Sequence, residues 1–172
     1  QSRFNPANGP YIPITSLVFP LKRKALNKLD QFKKYTETST FNQVIDHHNK
    51  DYGIITSGLT FLSLMDIQDN LNFTPDILKL GISYPLAEQT ILQFLRSHKE
   101  VKILEELDDL HEKEIKALAF DHQLNCKIIG KNDLIDWENE YTADKVSEVL
   151  EKTWPNILKI KSEARKPLYP IS

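Results

Sequence analysis

The sequence predicts a three-layer α/β/α domain on a mainly parallel sheet, preceded by a basic linker helix. Three observations carry this. From Tyr52 onward, short apolar runs rich in β-branched residues alternate with segments of helical period, the pattern of strands joined by crossover helices. Of nine prolines, four lie in residues 1–20 (Pro6, Pro10, Pro13, Pro20) and three follow Trp154 (Pro155, Pro167, Pro170), so both ends read as extended segments around a regular middle. Charge is also divided. Residues 1–40 carry seven basic and two acidic side chains (+5), and residues 41–172 carry fifteen basic and twenty-two acidic (−7). A basic arm on an acidic body suggests packing against that body or another surface. The expected boundaries are 1–50 for arm and helix, 51–153 for the α/β domain, and 154–172 for a C-terminal linker.

Leu21, Ala25, Leu29 and Phe32 recur at spacings of four and three, one stripe of a helix over 21–35, with Lys22, Lys24, Lys28, Lys33 and Lys34 on the remainder. Tyr52–Thr56 is a short buried strand, closed by Ser57-Gly58. A helix over 59–70 carries Leu59, Leu62 and Met65. The second strand is Ile77–Leu80, stopped by Gly81 and Pro85. A helix starting near Glu88 presents Ile91, Phe94, Leu95 and His98, and the carboxylate suits its N-terminus. Val101–Leu104 forms the third strand, ending in Glu105-Glu106. A helix over His111–His122 shows Ile115, Leu118, Ala119 and His122 on one face. Cys126–Ile129 is a fourth buried strand, and Thr142 caps a last helix with Val146, Val149 and Leu150 inward.

Composition excludes several function classes. With 40% hydrophobic and 27% charged residues the chain is neither disordered nor a membrane protein, and its apolar runs are too short to span a bilayer. A net charge of −2 makes no electrostatic case for nucleic acid. A single cysteine, Cys126, rules out an internal disulfide, a four-thiolate iron–sulfur cluster and a CxxC redox pair. Gly53-x4-Gly58 has phosphate-loop spacing without the Lys-Ser/Thr that such a loop needs, so a strand-to-helix turn is favoured over an anion site at Thr56-Ser57-Gly58. Glu105, Glu106, Asp108 and Asp109 suggest either a metal or general-acid cluster or, the favoured reading, an acidic turn with helix-start charges. His98 and His122 read as packing residues on apolar helix faces, and His47-His48 as part of a polar linker. No GxSxG elbow or Cys–His partner supports nucleophilic catalysis.

Three stretches, Tyr52–Leu64 (YGIITSGLTFLSL), Leu78–Leu86 (LKLGISYPL) and Val101–Asp109 (VKILEELDD), together resemble the second domain of the indolepyruvate:ferredoxin oxidoreductase α subunit. That domain is similar to the C-terminal domain of transketolase and of pyruvate:ferredoxin oxidoreductase. The resemblance covers about residues 1–153, the stretch Arg3–Pro13 and the basic helix looking like the family's crossover from a preceding domain. It implies a multidomain, cytoplasmic enzyme that uses thiamine diphosphate, magnesium and iron–sulfur clusters to decarboxylate a 2-oxoacid oxidatively to an acyl-CoA. Its partners would be a smaller β subunit and ferredoxin. The bound thiazolium supplies the carbanion chemistry and the protein supplies position and electrostatics. The working motifs of that chemistry are expected in other domains. This piece is therefore expected to hold no catalytic, cofactor or metal site and to serve as an interdomain element, with Ser57, Gly58, Tyr84, Pro85 and Glu105 on the face turned to its neighbours. The alternative is a free-standing flavodoxin-like module that binds a small ligand or regulates.

Overall fold

A computed structural model describes residues 15–131 and 140–159. In chain order the elements are α1 (Thr15–Thr38), β1 (Gln43–Ile45), β2 (Tyr52–Ser57), α2 (Gly58–Asp66), a 3-10 turn (Gln68–Asn70), β3 (Asp76–Leu80), α3 (Glu88–Arg96), β4 (Glu100–Leu104), α4 (Leu110–Asp121), β5 (Lys127–Ile129) and α5 (Ala143–Thr153). The sheet order is β1-β3-β2-β4-β5. β2, β3, β4 and β5 run parallel, with Ile55 opposite both Leu78 and Ile103, and β1 lies antiparallel on β3. The expected mainly parallel sheet is therefore present.

Strand alternation divides the core into two. Ile54, Ile77 and Leu104 face α2 and α5, where Leu64, Val146, Val149 and Leu150 meet them. Ile55, Leu78, Val101 and Ile103 face α3 and α4, against Ile91, Leu95, Ile115 and Ala119. Each central strand is buried on both faces, which is why its sequence reads as a continuous apolar run. The layers are helix, sheet, helix.

Several elements differ from the sequence expectation. The basic helix begins at Thr15 and contains Pro20, a residue whose sequence context predicts an extended arm. Pro20 lies only in the second helical turn, where its missing N–H removes a single backbone bond. The segment assigned to the linker contains β1, so the sheet begins at Gln43. The core also continues past 153: Trp154, Ile157 and Leu158 are buried, and Leu158 bridges Leu71. The helix expected over 59–70 stops at Asp66 and resumes as a 3-10 turn. β5 starts at Lys127 and is half-exposed at the sheet edge, not a buried strand opened by Cys126. His122 is exposed just beyond α4, since the helix ends one residue before it. The proline-rich segments 1–14 and 160–172 lie outside the described residues.

Candidate functional site

Parallel α/β sheets place ligands and interfaces at the carboxyl ends of their strands, and all five sequence-predicted face residues fall there. Ser57 ends β2, half-buried, and Gly58 begins α2 at φ +57°, a left-handed conformation that a Cβ would strain although the space beside it is open. Glycine at 58 thus serves the turn from strand to helix. Tyr84 and Pro85 lie between β3 and α3, joined by a cis peptide bond, with Pro85 buried and Tyr84 62% exposed. Glu105 follows β4 and is buried.

The Glu105 carboxylate accepts the backbone N–H groups of His111 (2.8 Å) and Glu112 (3.1 Å), two otherwise unsatisfied donors in the first turn of α4. His111 ties this strand end to the next. Its Nδ1 lies 3.4 Å from Glu105 Oε1, and its Nε2 donates to the Ser83 carbonyl at 3.2 Å. Behind Glu105, the buried Lys131 ammonium donates to the Glu105 carbonyl, while the Lys131 N–H donates to Glu112 Oε2 at 2.7 Å. Lys102, fully buried, donates to the Gly130 carbonyl at 2.5 Å, and burial pushes its ammonium down to about 8. Burial likewise lowers Lys131, against the opposing pull of Glu105 and Glu112.

The acidic cluster therefore resolves into separate structural roles. Glu105 and Glu106 accept backbone N–H groups, Glu106 from Tyr141 at 3.2 Å, and Asp109 pairs with Lys113 at 2.8 Å. Among the described residues, no group of three or more His, Cys, Asp or Glu is arranged to hold a metal ion. The Cys126 thiol is pushed up to about 11, by burial first and by Glu100 second, which leaves little thiolate at neutral pH.

One constellation escaped the sequence reading because its members lie 22 residues apart. At the amino edge of the sheet, Ser97 Oγ is 3.0 Å from His98 Nδ1, and His98 Nε2 is 3.1 Å from Asp76 Oδ2. The string has the order of a hydrolytic triad but the wrong proton directions. Ser97 Oγ donates to the Phe94 carbonyl at 2.8 Å, and His98 Nδ1 faces the same carbonyl at 2.7 Å, so the ring offers the serine no free lone pair. Asp76 is instead a structural hub, accepting also from His47 N (2.8 Å) and Asn49 N (3.0 Å). Burial alone would raise its carboxyl. The Asn49 and His47 N–H groups and the His98 ring outweigh that and hold it below the usual carboxylate range. Gly53 belongs to the same assembly, since a Cβ there would lie 2.8 Å from Phe94 Cε1 and 3.2 Å from His98 Cγ.

Around the carboxyl edge stands a rim of exposed apolar side chains: Leu59 and Leu62 on α2, Tyr84 after β3, Leu107 after β4, and Leu110 opening α4, each more than half exposed. Leu107 is also held at φ +53°, an uncommon conformation for a bulky residue and one found at functional surfaces.

No family model matches the sequence. Curated relatives do. The chain is 31% identical over 142 residues to the indolepyruvate oxidoreductase subunit IorA of Methanothermobacter marburgensis, covering 81% of this chain and 23% of the relative. It is 31% identical over 146 residues to IorA of Archaeoglobus fulgidus (81% and 22%) and 29% identical over 143 residues to IorA of Pyrococcus horikoshii (83% and 22%). A solved structure, 2-oxoglutarate:ferredoxin oxidoreductase from Magnetococcus marinus, superimposes with a TM-score of 0.42 at 14% identity, over 74% of this chain and 21% of that one. The chain spans under a quarter of the length of these curated relatives. Over about four-fifths of its own length, this chain is similar in sequence to IorA-type indolepyruvate oxidoreductase subunits.

Proposed function

We propose that this chain is a non-catalytic interface domain of a thiamine-diphosphate-dependent 2-oxoacid:ferredoxin oxidoreductase acting on indolepyruvate or a similar aryl pyruvate. In this reading the face formed by Ser57, Gly58, Tyr84, Pro85 and the Glu105 turn packs against neighbouring domains of a longer cytoplasmic polypeptide. A smaller β subunit and ferredoxin complete the enzyme. Thiamine diphosphate, magnesium and iron–sulfur clusters are held by other parts of it.

The observation that carries the reading is the apolar rim. Leu59, Tyr84, Leu107 and Leu110 project from strand-end loops and helix starts of one sheet edge, with Leu62 one turn further along α2. A group of exposed apolar side chains on one edge marks a surface that is covered by protein. The donor chemistry points the same way. Glu105, the carboxylate nearest the sheet end, has each oxygen accepting an N–H of α4, so its charge serves the start of that helix.

The test is to substitute Tyr84→Ala and Leu107→Ser separately in the intact subunit. Both side chains are exposed, so the fold should be retained while assembly with the partner subunit and 2-oxoacid turnover both fall. Unchanged assembly and turnover in both variants would refute the proposal.

A further inference from the structure

The helix starts of this domain are served unequally. First-turn N–H groups of α3 meet the Glu37 carboxylate, those of α4 meet Glu105, and in α5 the Lys145 N–H meets Thr142 Oγ1. At the start of α2, a helix of nine residues, the Ser57 side chain makes no capping bond. That difference alone makes no site, since water can serve such groups.

A second observation does. Thr56, beside the start of α2, is 2% exposed, and its Oγ1 has no hydrogen-bond partner. A buried hydroxyl is costly to leave unmet, and its hydrogen turns toward whichever acceptor arrives. Strand alternation puts the Thr56 side chain on the face of Ile54, the face covered by α2 and α5, at the end of β2 from which α2 begins. Lys79 on β3 is the register partner of Thr56 and shares that face. Its ammonium stands 5.0 Å from the centre of the Phe61 ring, on the fourth residue of α2, and has no ion-pair partner among the described residues. The carboxylates that follow β4 are engaged, Glu105 by α4 and Glu106 by the Tyr141 N–H at 3.2 Å. Beside Gly58 the space is open, with nothing within 4 Å of where a Cβ would stand.

We propose that the start of α2 binds the phosphate group of a small phosphorylated ligand, with the first-turn N–H groups, Thr56 Oγ1 and the Lys79 ammonium as its donors. The donors come from the helix start, from the sheet and from the neighbouring strand. A phosphate monoester offers three peripheral oxygens to three such directions, whereas a carboxylate offers two. The Gly53-x4-Gly58 segment lacks the lysine of a phosphate loop, and Lys79 brings that charge from the adjacent strand instead. The inference rests on the interface reading in one respect: Ser57 and Gly58 lie on the face given to neighbouring domains, so the ligand would sit in that seam. Phosphate binding is read on this chain alone and the seam by Tyr84→Ala and Leu107→Ser, so either reading can fail without the other.

The experiment is a titration of the isotope-labelled 172-residue chain with inorganic phosphate, followed by amide NMR. Sodium chloride holds the ionic strength constant, and sodium acetate is titrated in parallel. The expected result is a saturable shift centred on the Leu59 and Thr60 amides, with acetate binding about tenfold more weakly or worse. Thr56→Val keeps the side-chain shape and Lys79→Met keeps the packing on Phe61, and each should weaken phosphate on the order of tenfold. Without phosphate, Thr56→Val should melt no lower than the parent, because the hydroxyl it removes has no partner. Absence of a saturable phosphate shift at these amides overturns the proposal. So does acetate bound as tightly as phosphate, or an affinity unchanged in either variant. A Thr56→Val chain that melts several degrees lower overturns it too, since the hydroxyl then serves the fold.

Discussion

Replacing Asp76 by alanine tests the hub at the amino edge of the sheet. Three donors would lose their acceptor: His47 N at 2.8 Å, Asn49 N at 3.0 Å and His98 Nε2 at 3.1 Å. The His98 ring is almost wholly buried and has no water to turn to, so its loss approaches the full cost of an unsatisfied buried donor, about 2–3 kcal/mol. The two backbone groups lie in a half-exposed connection and can be partly resolvated, at about 0.5–1 kcal/mol each. Relief of the carboxylate's own desolvation offsets part of this, leaving an expected loss of about 3 kcal/mol. Asp76→Asn keeps a carbonyl for the backbone donors and should lose about half as much. Urea denaturation of both variants provides the measurement. The acidic side gives a second readout. Because the folded Asp76 carboxyl lies below its ordinary value, its contribution is complete above about pH 4 and is lost as pH falls through the folded value. The asparagine variant should lack that portion of the acid destabilisation. An alanine variant within 1 kcal/mol of the parent, or an asparagine variant less stable than the alanine one, would refute the hub argument.

Three further outcomes follow from the geometry. Gly53→Ala should destabilise by about 1–3 kcal/mol, because its methyl group would push into the Phe94–His98 ring pair, and chemical denaturation should show it without loss of helical signal. Lys102→Met should remove a pH dependence: with the folded amine near 8 and the unfolded one near 10.5, the parent gains stability as pH rises through that window, and melts from pH 7 to 10 should lose the slope in the variant. Glu105→Ala strips two first-turn N–H groups of α4 of their acceptor and should cost about 1–2 kcal/mol, read most directly as faster amide exchange at His111 and Glu112.

The parts of the fold legible in the sequence are those whose signal is local. β2, β3 and β4 announce themselves as β-branched apolar runs because both faces of each are buried, and Thr142 accepts the Lys145 N–H at 3.4 Å as the helix-cap reading expects. Elements held by distant partners were not legible. β1 is three residues long with two exposed side chains, and its position depends on β3 and on the Asp76 contacts to the connection that follows it. Trp154, Ile157 and Leu158 surround Pro155 and Asn156, which read as linker, yet Trp154 reaches back to Glu100 at 3.0 Å and Leu158 to Leu71. Glu105 was legible as a residue to watch. Its use as an acceptor for α4 requires knowing how the chain turns after β4, which no residue pattern encodes. The Ser97–His98–Asp76 string is legible only once β3 and the end of α3 are known to be neighbours.

The short antiparallel strand has a practical consequence for how this polypeptide can be cut. β3 is otherwise an open edge, a row of backbone donors and acceptors in a strongly apolar strand, the form that templates pairing between molecules. β1 masks that row with three residues. A fragment trimmed to 51–153 would uncover it and would also lose Trp154, Ile157 and Leu158 from the core between the sheet and helices α2 and α5. Such a fragment should associate edge to edge, whereas one that begins before Gln43 and continues past Leu158 keeps its sheet sealed.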